Sequence, residues 1–126
     1  MLEEMKRLVK GNDLCVLATV SEGIPHCSLM FYISDEEGNE IYLTSHKKTK
    51  KYKNLTGNPV VSLLIDSREK QKGQDRVHIK ALTVNGEFQT MDDPLKKGLI
   101  REKFLKRHSH LTDFLMILTL IFFLSR

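Results

Sequence analysis

Five lysines fall within seven residues, Lys47, Lys48, Lys50, Lys51 and Lys53, and no acid interrupts them. They follow directly on Thr44, Ser45 and His46. The residue pattern predicts a strand ending at Thr44 and a helix over 45–55, so the lysines occupy that helix's opening turns. Alone, this placement is unfavourable. Aligned peptide dipoles put roughly half a positive charge at a helix N-terminus, and acids are the usual residues there. A bound anion reverses the sign of the argument. Free backbone N–H groups, two hydroxyls and ammonium groups form a donor set suited to a phosphate. On a helix Lys47, Lys50, Lys51 and Asn54 share one side, and Lys48 and Tyr52 another. A solvated lysine face, or contact with nucleic acid or an acidic partner, competes with this reading. Tyr52 is the one ring in the segment, which leaves little for stacking on bases.

The charge balance makes the segment stand out further. Lys plus Arg is 20 and Asp plus Glu 16, a formal net charge of +4, with an isoelectric point near 9.1. Without the five lysines the remaining chain is at −1, so basicity resides in one segment. Nucleic-acid coating, which needs basic residues spread along a face, is not expected.

The other reactive side chains carry less. The five histidines are scattered and no CxxC or HExxH occurs, so no metal centre is expected. His26 and His78 sit in apolar stretches and are read as core or barrel-wall residues; His46, beside the lysines, is read as an anion contact or an exposed residue. His108 and His110 are read as capping or solvent-facing at a helix junction. Cys15 and Cys27, both within apolar stretches, are read as small core residues. Two thiols make no disulfide scaffold, which points to a reducing, cytoplasmic setting. No residue stands out as a proton donor, so no catalytic group is assigned. The N-terminal segment lacks a signal-peptide core. The run 114–124 falls short of the ~20 residues a membrane-spanning helix needs, so no membrane partner is expected.

The elements that must position the lysines follow from periodicity. Leu2, Met5, Leu8 and Val9 recur at helical spacing until Gly11. Residues 14–20 (LCVLATV) and 26–33 read as strands joined by a turn at 21–23, and 40–44 as a third, giving an antiparallel meander. Gly57-Asn58-Pro59 closes the lysine helix. Residues 60–66 (VVSLLID) form another strand, 67–75 a polar loop, and 77–88 a strand in which Asn85-Gly86 marks a bulge or turn. Asp92-Asp93-Pro94 begins a helix carrying Leu95, Leu99, Ile100, Phe104 and Leu105 on one side. The apolar tail MILTLIFFL reads as a last buried strand, a helix packed on a partner chain, or an aberrant end. At 126 residues the chain is one domain, 1–126. Its class is mainly β with helical additions (α+β), a small antiparallel barrel.

These elements, in this order, resemble the pyridoxamine-5′-phosphate-oxidase-like family of flavin-binding split barrels. The resemblance runs from LCVLATVSEGIPHCSLMFYISDEEG through EIYLTSHKKTKKYKNLTGNPVVSLLID. Its most specific part is Thr44, Ser45, Thr49, Lys50, Lys51, Asn54, Leu55, Asn58 and Pro59. It implies an antiparallel split β-barrel of the FMN-binding type, with flavin mononucleotide (FMN) as cofactor. It further implies Lys50 and Lys51 as phosphate ligands, with Thr44 and Ser45 contributing hydroxyl or backbone groups. The second strand, with His26, Ser28, Leu29 and Met30, would line the isoalloxazine ring, and a homodimer would hold the flavin at its interface.

Other marks separate the chain from the vitamin B6 oxidases. Residues 26–31 lack an Arg-x-x-x-x-Lys pattern, and LIFFLSR replaces a C-terminal Arg-x-His. The implied activity is therefore a small FMN-dependent oxidoreductase of unspecified substrate, and residues 116–126 are atypical of the family. Residues 101–115 (REKFLKRHSHLTDFL) resemble the helical part of haem-utilisation relatives, which makes haem an alternative ligand. The resemblance also admits a deazaflavin (F420) in place of FMN, and a non-catalytic flavin- or nucleic-acid-binding module in place of an enzyme.

Overall fold

A computed structural model of the chain describes residues 2–37, 40–45, 50–67, 80–89, 93–108 and 116–123. It contains helix α1 (Leu2–Gly11), strands β1 (Leu14–Ser21), β2 (Ile24–Ser34) and β3 (Glu40–Ser45), helix α2 (Lys50–Gly57), strands β4 (Val60–Asp66) and β5 (Ala81–Gln89), helix α3 (Pro94–Arg107) and strand β6 (Met116–Phe123).

The β1–β2 hairpin shows how the local sequence sets the register. Glu22 and Gly23 both have positive φ, 52° and 77°, the pair of conformations a two-residue type I′ turn requires. Glycine adopts it freely, whereas Glu22 is held there by the hairpin. The turn aligns Ser21 with Ile24, and the ladder continues to Leu14 opposite Phe31. All neighbouring strands are antiparallel and close into a barrel in the order β1-β2-β3-β6-β5-β4. The apolar tail is thus a strand, inserted between β3 and β5.

Alternation along β1 and β2 fills the barrel. Cys15, Leu17 and Thr19 point inward opposite Met30, Ser28 and His26. Ile41, Leu43, Leu63, Ile65 and Val84 join the same core, which Val9 of α1 and Leu55 of α2 seal from outside the sheet. The Tyr32 hydroxyl donates to the Val9 carbonyl and ties α1 to β2. Burial pushes the Tyr32 phenol far above its ordinary range and the Cys15 thiol up to about 12. Tyr42 is likewise raised to about 12, by burial first and then by the negative charges of Glu40 and Asp35.

Three sequence expectations need correction. Cys27 is exposed, because strand alternation turns it to the outer face opposite Ala18 while Cys15 points inward. Asn85 and Gly86 form no bulge: they stay in unbroken register with Ser62 and Val61. The Ser62 hydroxyl donates to Asn85 Oδ1 at 2.6 Å, satisfying an amide that otherwise favours a turn. On α3 only Ile100 and Phe104 of the expected apolar set are fully buried, against Ile33 and Tyr42. Leu95 and Leu99 remain 81% and 61% exposed, since the helix meets the barrel along a narrow arc.

Candidate functional site

The lysine helix follows β3. Thr44 and Ser45 are the last two residues of that strand, which runs one residue past Thr44. Their backbones are paired with Ile117 and Met116 of β6. Lys50 and Lys51 open α2, which has no acidic residue in its first turn. His46, Lys47, Lys48 and Thr49 lie outside the described residues, as do His78 and His110.

Straight-chain lysines favour the helical state, and its end is fixed as the sequence predicts. The Asn58 N–H donates to the Asn54 carbonyl at 2.8 Å, and Asn58 Oδ1 accepts from the Val60 N–H at 3.1 Å. The backbone is thereby turned into β4, with Pro59 unable to continue a helix. Leu55 and Asn54 are buried against the barrel while Lys53 is exposed. Asn54 Nδ2 donates to Thr19 Oγ1 at 3.1 Å. The Thr19 hydroxyl in turn makes a long contact of 3.5 Å with the carbonyl of His26, its partner across the β1–β2 ladder.

β2 is the neighbouring strand. Its eleven residues pair with β1 from Ile24 to Phe31, whereas its pairing with β3 is confined to Tyr32, Ile33 and Ser34. Among the described residues, those from Ile24 to Met30 pair with β1 alone, beside the end of the barrel where β3 gives way to α2. Alternation divides the four β2 residues named from sequence. His26 and Ser28 are half-buried on the inner face, with Ser28 Oγ and His26 Nε2 3.3 Å apart. Met30 is buried in the core, and Leu29 projects outward, 68% exposed. The structure thus groups His26 and Ser28 with the Thr19–Asn54 pair, and sets Leu29 on the opposite face.

Leu29 belongs to an apolar outer surface. It lies level with Val16, which lies level with Leu64 on β4, and Val20, Ile24 and Val60 are also exposed. A cleft of about 220 Å³ opens beside this row, lined by Asn12, Asp13, Cys15 and Asp66 among others. A larger one of about 510 Å³ lies between α1 and the start of β5. Neither is lined by His26, Ser28 or α2.

His108 takes the capping position expected of it, with a ring environment that the sequence did not reveal. It caps α3, its backbone N–H donating to the Phe104 carbonyl at 2.8 Å. Its ring is buried, with Nε2 3.2 Å from the Tyr32 carbonyl and centroids 4.7 and 5.0 Å from those of Phe31 and Phe104. A carbonyl partner requires Nε2 to carry the proton. The expected capping role is met by the backbone N–H, while the side chain lies in the core and does not face solvent.

The chain thus runs from two hydroxyl residues at the end of β3 to two lysines at the start of α2, with no acid in that helix's first turn. Six antiparallel strands closed into a barrel, with this lysine-headed helix after the third, define a split barrel. The chain belongs to the pyridoxamine 5′-phosphate oxidase family, whose sequence profile matches residues 1–117.

Solved structures share the fold. A FAD-binding protein from Mesorhizobium loti aligns with a TM-score of 0.79 at 22% identity, over 97% of this chain and 87% of that one. The haem storage protein of Vibrio cholerae aligns at 0.69 and 20% identity, over 98% and 89%. An F420 reductase aligns at 0.69 and 23% identity, over 94% and 92%. No curated protein matches the sequence.

Proposed function

We propose that the protein binds flavin mononucleotide as a homodimer and acts as a small flavin-dependent oxidoreductase. The observation that carries this reading is the start of α2: Lys50 and Lys51 with no acid in the first turn, following the Thr44-Ser45 end of β3 beside the edge of β2. Thr44, Ser45, Lys50 and Lys51 hold the phosphate, while the β2 edge with His26 and Ser28 borders the ring. Bound flavin supplies the redox chemistry; the chain supplies binding, orientation and electrostatics. The apolar row Leu64, Val16, Leu29 supports a second copy as partner, since a soluble monomer rarely leaves such a contiguous face in water. Free cysteines are consistent with a cytoplasmic setting.

The test is an absorption spectrum of the purified protein and titrations with FMN, riboflavin and F420. FMN uptake with clear preference over riboflavin is expected, and Lys50→Ala with Lys51→Ala removes that preference. A protein that takes up no flavin, or takes up F420 alone, overturns the FMN reading. Leu29→Lys converts the dimer to a monomer in sedimentation; an unchanged sedimentation coefficient argues against this face.

Haem is the second reading, favoured by the alignment with the Vibrio cholerae haem storage protein. Against it, His108 is 2% exposed and its Nε2 is engaged by the Tyr32 carbonyl. Haemin titration separates the two: a sharpened Soret band lost in His110→Ala supports haem.

A further inference from the structure

We infer that Asn54 is the positioning residue of the phosphate grip: its buried amide, bonded to Thr19, fixes the height of α2 against β1 and so places the backbone of Lys50 and Lys51 relative to the β2 edge. The inference rests on the FMN reading above.

A helix of eight residues does not hold itself, since isolated helices shorter than about 12 residues are marginal in water. Its position is decided by what it touches. Among its described side chains, Leu55 and Asn54 are the buried ones, 1% and 4% exposed. Leu55 makes apolar contact, which is non-directional and tolerates sliding. Asn54 does not. A buried amide left without a partner costs more than its bond contributes, and Thr19 Oγ1, on a residue 1% exposed, is 3.1 Å away. A shift of one helical residue, ~1.5 Å, takes that bond out of hydrogen-bonding range. An apolar side chain at position 54 would fill the space; the amide adds a fixed register, as a buried asparagine does between coiled helices.

The geometry then transmits. Lys50 lies one turn before Asn54 and Lys51 three residues before it, so the backbone of both moves with Asn54 as a rigid unit. At the other end of the bond Thr19 is paired with His26 and contacts its carbonyl. Helix and β2 edge are thus referenced to a single residue, and the distance between phosphate donors and ring edge is set at Thr19.

The experiment compares FMN with riboflavin, which share the ring and differ by the phosphate, on wild type, Thr19→Val, Thr19→Ser and Asn54→Leu. The wild type prefers FMN. Thr19→Val and Asn54→Leu each lower FMN affinity by roughly tenfold or more, the scale on which small misplacements act, and leave riboflavin affinity essentially unchanged. Thr19→Ser, which keeps the hydroxyl, restores the preference. FMN and riboflavin affinities falling together assign Asn54 a merely structural role and overturn the inference. So does an unchanged preference in variants of a wild type that binds FMN, which leaves the FMN reading standing. A wild type that binds no flavin removes both. Urea unfolding accompanies each titration, and if Thr19→Val and Asn54→Leu both fail to fold, the pair is a stability element and the inference fails.

Discussion

α3 starts on Asp93 and Pro94 and ends on Lys106 and Arg107, whereas α2 starts on Lys50 and Lys51 and has no basic residue in its last turn. α3 follows the helix dipole at both ends: Asp93 Oδ1 accepts from the Leu95 N–H at 3.0 Å, and cations sit beside the final carbonyls. α2 inverts the charge order. Their seats differ as well. α3 buries two apolar side chains, Ile100 and Phe104, while among the described side chains of α2 the buried ones are a leucine and an amide bonded to Thr19. A helix built for stability alone resembles α3. The departures in α2 all concern where its first turn is and what charge it presents, as expected when that turn serves a ligand.

Substitutions can break or sharpen this contrast. Phe104→Ala removes the largest buried side chain of the α3 seat and should cost about 3–5 kcal/mol in urea unfolding; a small loss would mean that α3 is held some other way. Thr19→Val leaves the Asn54 amide unpaired and should cost about 1–3 kcal/mol, a polar penalty where Phe104→Ala leaves an apolar cavity. Asp93→Ala removes the cap of α3 and should cost about 1 kcal/mol by thermal unfolding. Lys50→Glu has the smallest effect and the opposite sign. In flavin-free protein at low salt it should stabilise by about 0.3–1 kcal/mol, because an acid suits a helix start. The same variant should lose FMN preference in titration. Destabilisation of the flavin-free protein would place Lys50 in a structural role and dissolve the contrast.

Much of this arrangement is legible along the chain. The bounds of β4 coincide with VVSLLID, because Pro59 precedes it and Ser67 follows. The Asp93-Pro94 start of α3 and the Gly57-Asn58-Pro59 end of α2 are local signals that the tertiary structure leaves intact. The order of polar strand end and lysine helix is equally local. Legibility fails where two faces of one element are both apolar. Residues 14–20 carry apolar side chains in either phase, so the sequence does not say that Val16, Ala18 and Val20 face out; Cys27 and Leu29 follow from that phase. The partnership of Asn54 with Thr19 spans 35 residues and that of His108 with Tyr32 spans 76. No window of local pattern contains such pairs. Asn85-Gly86 failed for the same reason, its turn preference being met by Ser62 on another strand.

The insertion of β6 between β3 and β5 has a consequence for the order of assembly. The meander β1-β2-β3 and the β4–β5 pair are complete by Gln89, yet Glu40 waits for Ile121 and Asn85 for Phe123. Loop closure over such separations is slow compared with hairpin formation. During synthesis, which delivers the N-terminal part first, β3 and β5 each present an unpaired edge until residues 116–123 arrive. Nascent chains of this protein are thus exposed to edge-to-edge association for as long as the ribosome takes to add the segment that joins them.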